Sequence, residues 1–245
     1  MEEIEGPLFL TLLVKRFWPG CPIPVDLLFM WLAVLLVMVF ALTAAIRCRL
    51  RPAGAQNAFE MILDAVADFT LKFIGKDGFR FLPLFFTLFL VILFSNLLGL
   101  IPGFKSPTAN LNINAGMALV VAIFPQYVAI RHRGILGYLR SFCGPPYWLA
   151  PLFIIIRVIE QLARPLSLTM RLFGNIMAKE ILLGILVYLM TMFFFSHDIA
   201  SRLLFPVPFL MRPLVILLGV LVSVIQALVF TSLSMIYIGE AIHEH

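Results

Sequence analysis

Charged residues are scarce in this sequence: they account for 13% of its 245 residues, while hydrophobic residues account for 62%. Soluble domains carry about 25% charged residues, so we predict a polytopic membrane protein. The three cysteines, Cys21, Cys48 and Cys143, are scattered and odd in number, which favours neither a metal site nor a disulfide framework. The phosphate-binding loop G-x-x-x-x-G-K-S/T is also missing. We therefore predict no cofactor, no metal and no nucleotide-binding site on this chain.

Histidine is similarly rare, and its placement disfavours an intramembrane enzyme. The four histidines, His132, His197, His243 and His245, lie near predicted helix ends or in loops. Such an enzyme would need a catalytic set within its spans, such as two aspartates, a Ser/His set or an HExxH motif. We find no such set, so a different class of function is expected.

Five long apolar runs are predicted to cross the membrane, because a hydrocarbon core of ~30 Å needs about 20 apolar residues of helix. They cover approximately residues 25–46, 81–101, 111–130, 154–195 and 209–241. The last two exceed a straight crossing, so we expect long, tilted helices. Residues 57–74 instead predict an amphipathic interfacial helix, whose acidic line of Glu60, Asp64 and Asp68 is interpreted as a solvated face. The predicted fold is all-α, in a single integral-membrane domain.

Basic clusters set the expected orientation of the chain in the membrane. Arg47, Arg49 and Arg51 follow the first span, and residues 131–133 (Arg-His-Arg) follow the third. The positive-inside rule puts both clusters in the cytoplasm. The N-terminus is then outside and the C-terminus cytoplasmic. Since most basic residues lie beside spans, the net charge of +5 does not indicate a nucleic-acid partner.

The fourth span contains charges that need an explanation, because a charge at the bilayer centre costs ~2.5–3.5 kcal/mol or more. Arg171 shares a helix face with Asn175, four residues on. Glu180 points the opposite way, ~13 Å along the axis, so an ion pair within the helix is excluded. No other span offers a mid-membrane carboxylate, which favours a counter-ion on another chain over a structural arginine. An alternative for Lys179 and Glu180 is that they snorkel to the headgroups.

Three segments together resemble subunit a of F-type ATP synthases. The run P-L-S-L-x-x-R-L-F-G-N-x-x-A-x-E, here Pro165 to Glu180, is similar to the family's signature. The last helix, IQALVFTSLSMIYIGEAIHEH, resembles the family's C-terminal helix, with its glutamine at Gln226 and its final Glu-His. The loop SPTANLNI before the third span also fits. Because the segments are separated and in the right order, the combination is specific.

The resemblance implies a role for each matching position. Arg171 would be the essential stator arginine that faces the carboxylates of a rotating ring of c subunits. Asn175 and Glu180 would line the proton half-channel that opens to the outside. Gln226 would lie near Arg171 on the facing helix. The chain would then be a non-catalytic subunit that couples proton translocation to rotation and ATP synthesis.

The resemblance also implies partners and a location. Glu160 would belong to the cytoplasmic half-channel, while Ser223 is either a channel-lining residue or a serine bonded back to its own helix. The partners would be the c-subunit ring, the b-subunit peripheral stalk, the rest of the ATP synthase complex and the lipid bilayer. The expected location is the bacterial plasma membrane.

Three positions depart from the family's common pattern. Many members have glycine where this chain has Lys179, and some have a channel histidine where it has Gly219. Arg157 stands where an acid is frequent, three residues before Glu160. These departures leave the details of both half-channels open.

The second hypothesis is a secondary transporter or channel that uses Arg171 to bind an anionic substrate. Such a protein would need broken helices or internal repeats, and the sequence shows neither. A small two-helix proteolipid with a mid-membrane carboxylate should accompany the chain if the ATP synthase hypothesis is right, but not if it is a transporter.

Overall fold

The computed structural model describes residues 24–46, 54–101, 103–141, 149–196 and 203–243, and within these ranges it is built of helices without a strand. The six α-helices are α1 (Val25–Ile46), α2 (Ala55–Phe73), α3 (Leu82–Leu98), α4 (Leu111–Ser141), α5 (Ala150–Phe195) and α6 (Pro206–His243). Short 3-10 helices precede α3 (Lys76–Phe81) and α4 (Pro107–Ala109). All the α-helices except α2 are long and apolar enough to cross a membrane. The predicted all-α fold with about five spans is confirmed.

Several sequence-based expectations fall outside the described residues. These are the placement of the basic cluster after the first span, of the three cysteines and of the loop near residue 200. They concern Arg47, Arg49, Arg51, Cys21, Cys48, Cys143, His197, Asp198 and Arg202.

Helix α3 lies at the centre of the bundle. Its side chains Phe85, Phe89, Leu90 and Ile92 are buried in one apolar core, and it packs against both α1 and α6. In the 18-residue apolar stretch of the span that contains α3, 56% of the residues are buried, whereas only 17% are buried in the corresponding stretch of α5. Helix α5 is therefore peripheral, with most of its apolar surface left for lipid or another chain.

The last two spans are much longer than a membrane is thick. Helix α5 has 46 residues and α6 has 38, which correspond to ~69 Å and ~57 Å of helix. Helix α5 continues through Pro165, where the ring cannot donate a backbone hydrogen bond. The Thr169 hydroxyl donates to the Pro165 carbonyl oxygen at 2.7 Å. Residues on either side of Pro165 thus belong to one long helix.

Helix α4 extends beyond the span predicted for it, which was expected to end near residue 130. It reaches Ser141, with one non-helical residue at Gly134 (φ 71°, ψ 166°). A positive φ is readily available to glycine only, so Gly134 allows a kink after the basic residues. The chain beyond Gly134 therefore continues as a short helical segment.

A buried polar network fixes the loop between α3 and α4. The Ser106 hydroxyl donates to the Ser95 carbonyl, the Thr108 hydroxyl to Asn96 Oδ1 at 2.8 Å, and Asn114 Nδ2 to the Thr108 carbonyl at 2.6 Å. All five residues are almost completely buried. Buried polar groups need such partners, so this network determines where α4 begins relative to α3.

Replacing Asn96 by leucine should therefore destabilise the protein, because it leaves the buried Thr108 hydroxyl without that acceptor. We expect a loss of about 1–3 kcal/mol, measured as a lower midpoint of thermal unfolding in detergent. The control is Thr87→Val, because Thr87 is exposed on the same helix and bonds only to its own helix at Pro83. Equal midpoints for the two variants would contradict the role given to this network.

Candidate functional site

The buried stripe of α5 separates its two opposite charges. The stripe includes Leu168, Leu172, Ile176 and Lys179. At 100° per residue, Arg171 lies on one edge of this stripe and Glu180 on the other, 180° apart. The helix thus presents the two side chains to different surroundings.

Arg171 is exposed and lies near the middle of α5. In the part of the chain that the structure describes, it forms no hydrogen bond and no ion pair. Tyr237 on α6 is within electrostatic range of its guanidinium. Its guanidinium therefore keeps its donors available for a group that the described chain does not supply.

One helical turn from Arg171, a side-chain hydrogen bond joins the two long helices. Asn175 Nδ2 donates to Gln226 Oε1 at 2.8 Å. Gln226 is buried, and its Nε2 has no partner among the described residues. The structure therefore brings together two of the residues singled out from the sequence, as an amide pair beside the arginine.

Ser223 lies one turn before Gln226 on the same side of α6. Its hydroxyl donates to the Gly219 carbonyl oxygen at 2.7 Å, and the side chain is buried. Of the two arrangements left open by the sequence, the bond to its own helix is therefore present. The hydroxyl oxygen still has acceptor capacity in this arrangement.

Lys179 and Gly219 lie against each other. In the sequence analysis, each was noted separately as a departure from the pattern common in the similar family. Lys179 is buried, and its ammonium donates to the Asn96 carbonyl oxygen at 3.2 Å, so it does not snorkel away from the bundle. A Cβ at Gly219 would be 3.1 Å from Lys179 Cδ and 2.6 Å from Leu100 Cδ2. The lysine chain occupies space that a larger residue at 219 would need.

The two carboxylates of the predicted site lie on either side of Arg171 along α5. Glu160 is eleven residues before it, ~16 Å along the axis, and Glu180 is nine residues after it, ~13 Å. Glu180 is half-buried and interacts electrostatically with Lys179. Along the helix axis, each acid is thus more than two helical turns from Arg171.

Glu160 is exposed and bound by an arginine that the sequence reasoning missed. Arg164 Nη2 donates to Glu160 Oε1 at 2.7 Å and to Glu240 Oε2 on α6 at 2.8 Å. Its guanidinium also lies 4.5 Å from the centre of the Tyr237 ring. The spacing of four residues between Glu160 and Arg164 could have indicated the first of these contacts, but nothing local indicated Glu240.

The contact between Lys179 and Gly219 predicts that these positions tolerate substitution only as a pair. Gly219→His should reduce the yield of folded protein several-fold, because the imidazole would meet Leu100 and Lys179. Adding Lys179→Gly should recover part of that yield, because it removes the lysine side chain and leaves Leu100 in place. The measurement is the amount of monodisperse protein recovered in detergent by size-exclusion chromatography.

Gly184→His is the matched control, since a Cβ at Gly184 on α5 would meet nothing within 4 Å. The prediction is wrong if Gly219→His alone behaves like the unmodified chain, or if the double variant is no better than the single one.

Comparisons with known proteins agree on one family. The family described as ATP synthase A chain matches residues 27–239. The chain is similar to "ATP synthase subunit a" of Trichlorobacter lovleyi, with 42% identity over 214 residues, covering 87% of this chain and 85% of that protein. It is also similar to "ATP synthase subunit a 1" of Syntrophotalea carbinolica, with 42% identity and coverage of 97% of both chains. From the family match and the extent of these alignments, we conclude that the chain belongs to the ATP synthase subunit a family.

Proposed function

We propose that this chain is the stator proton-channel subunit of the membrane sector of ATP synthase. In this proposal Arg171 faces the carboxylates of a c-subunit ring, and two offset half-channels lead protons to and from that contact. The observation that carries it is the exposed guanidinium of Arg171, near the middle of α5 and without a hydrogen bond or ion pair among the described residues. A cation so placed in a span requires an anionic partner.

The physical role of Arg171 follows from the cost of a charge in lipid. A ring carboxylate crosses lipid in its neutral form, because the bare charge is too costly there. Next to Arg171 the ionised form is stabilised, so the proton is released toward one compartment and another is taken up from the opposite one. The fixed positive charge also prevents protons from passing directly between the two half-channels.

The positions of the two acids support an offset pair of half-channels. Glu180 and Glu160 lie on opposite sides of Arg171 along α5, by ~13 Å and ~16 Å. We assign Glu180, with Asn175, to the half-channel that opens to the outside, and Glu160 to the cytoplasmic one. Each proton that crosses gains ~2.3 kcal/mol per 100 mV of membrane potential, and rotation of the ring would carry this energy to the catalytic head.

The amide pair has a separate role in this proposal. The bond between Asn175 and Gln226 holds the arginine's helix to α6. The buried Gln226 Nε2, without a partner in the described chain, supports a polar wall for the half-channel. Ser223, one turn before Gln226 on α6, would extend this wall.

The surface around Arg171 suits a partner made of apolar helices. Large exposed apolar side chains cover the outer faces of α5 and α6, among them Leu166, Met170, Leu182, Leu221 and Ile225. We propose that the c ring covers part of this surface and that lipid covers the rest. The b-subunit stalk and the remaining ATP synthase subunits complete the set of partners.

The proposal also includes the arrangement of the whole chain. It would form a single integral-membrane domain in the bacterial plasma membrane, with its N-terminus outside and its C-terminus in the cytoplasm. It would not catalyse ATP hydrolysis itself. Membership of the ATP synthase subunit a family disfavours the alternative of an anion transporter.

Arg171→Ala should abolish both ATP-driven proton pumping and coupled ATP synthesis, because no other described cation lies at that point of α5. Pumping is measured by fluorescence quenching in inverted membrane vesicles, and synthesis in energised proteoliposomes. Met38→Ala, at an exposed position of α1 outside the α5–α6 surface, is the control and should retain activity. A variant lacking Arg171 that still synthesised ATP at the normal rate would refute the proposal.

Glu180→Gln should slow proton flux without eliminating it, because the amide keeps the size of the side chain and still donates and accepts hydrogen bonds, but it cannot take up and release a proton. The measurement is passive proton flux through the membrane sector after removal of the catalytic head. Asp64→Asn is the control, since Asp64 is an exposed acid on α2, away from the site. Unchanged flux in Glu180→Gln would exclude Glu180 from the half-channel.

A further inference from the structure

A bridged pair of carboxylates lies where α5 meets the C-terminal part of α6. One nitrogen of Arg164, Nη2, is 2.7 Å from Glu160 Oε1 and 2.8 Å from Glu240 Oε2. The two carboxylate oxygens are therefore no more than about 5.5 Å apart, the sum of those distances. One water molecule fits between oxygens at that separation.

The arginine of this group is much less exposed to solvent than its two acidic partners. The Arg164 side chain is 17% exposed, whereas those of Glu160 and Glu240 are 49% and 43% exposed. The Tyr237 ring covers the guanidinium at 4.5 Å from its centre. The cation is thus fixed in the protein by a ring and two acids, while both acids keep access to water.

Three helices meet beside this pair and enclose a small polar cavity. Its volume of about 30 Å³ is sufficient for about two water molecules. The Tyr138 hydroxyl on α4 donates to Gln126, and Gln126 Nε2 donates to Gln161 on α5. The charged or titratable side chains from α4, α5 and α6 that face the cavity are Arg133, Tyr138, Arg157, Arg164, Tyr237 and Glu240.

The pair is also positioned to communicate with the central arginine. Glu160, Arg164 and Arg171 lie within about 40° of one another around α5, on one face. Tyr237, which covers Arg164, is in electrostatic range of Arg171 as well. A proton released near Arg171 toward this end of the helix would therefore meet the bridged pair next.

We propose that Glu160 and Glu240 form a two-carboxylate proton relay at the cytoplasmic mouth, and that Arg164 is its positioning residue. The inference rests on the proposed function, since it assigns this end of α5 to the cytoplasmic half-channel. Glu160 accepts the proton from the path, and a bridging water passes it to Glu240, which releases it to cytoplasmic water. Arg164 holds the two carboxylates together, within reach of one bridging water.

The test measures passive proton flux through the membrane sector in proteoliposomes, with the pH of each side varied separately. Arg164→Gln should lower the flux about tenfold. It should also change the dependence of the flux on cytoplasmic pH, because the two carboxylates lose the cation that holds them together. The pH dependence on the other side should not change. Arg164→Lys, which keeps the charge, should restore the wild-type pH profile.

Glu240→Gln is a second variant of nearly unchanged shape. It should lower the flux at least threefold, and combining it with Arg164→Gln should cause no additional loss if the two residues act as one unit. Arg80→Gln is the matched control, since Arg80 lies over the Phe81 ring at the start of α3, away from the pair. Its flux and pH profile should equal those of the unmodified chain.

The outcomes separate this inference from the proposed function. Wild-type flux and pH profile in both Arg164→Gln and Glu240→Gln would overturn the relay, even if Arg171→Ala is inactive. A loss of flux that Arg164→Lys does not rescue, with an unshifted pH profile, would make Arg164 a structural tie only and would also overturn it. Normal ATP synthesis by Arg171→Ala would instead reject the proposed function itself.

Discussion

A guanidinium in the middle of an apolar helix is the constraint on which the rest of this structure depends. Arg171 cannot lose its charge, and the described chain offers it neither a carboxylate nor a hydrogen-bond acceptor. Isolated in lipid, it would cost at least ~2.5–3.5 kcal/mol. In the proposed function another molecule offsets this cost, and α5 suits such a contact because it lies at the edge of the bundle with most of its apolar surface uncovered.

The packing of α5 against α6 explains how that exposed arginine can be held in place. The contact face of α6 combines a glycine, a serine and a glutamine with apolar residues, so the two helices approach closely and still share a polar bond. Gly219 admits the Lys179 side chain, and Gln226 accepts from Asn175. At the other end, Arg164 ties Glu160 to Glu240. Helix α5 is thus tied to α6 on both sides of Arg171, at Asn175 and at Arg164.

The functional residues that could be predicted from the sequence are those whose partners or spacing lie within one helix. Arg171, Asn175 and Glu180 were accessible because helical periodicity relates residues on one helix, and the 180° separation of the two charges follows from it directly. A place for Gln226 on the helix facing Arg171 was expected only through the family resemblance, and its hydrogen bond to Asn175 was not predicted. The contacts of Arg164 with Glu240 and of Asn96 with Lys179 were missed, because these partners are distant in sequence.

By itself the sequence determined the all-helical membrane fold, the number of spans and the helix faces that carry charge. These properties depend on hydropathy and on the 3.6-residue period, both of which are local. Only the tertiary structure decided which side chains meet across helices: Lys179 with Gly219 and Asn96, Asn175 with Gln226, and Arg164 with Glu240. In lipid all apolar helix faces are nearly equivalent, so the choice of neighbours rests on close packing and a few polar contacts, which periodicity alone does not specify.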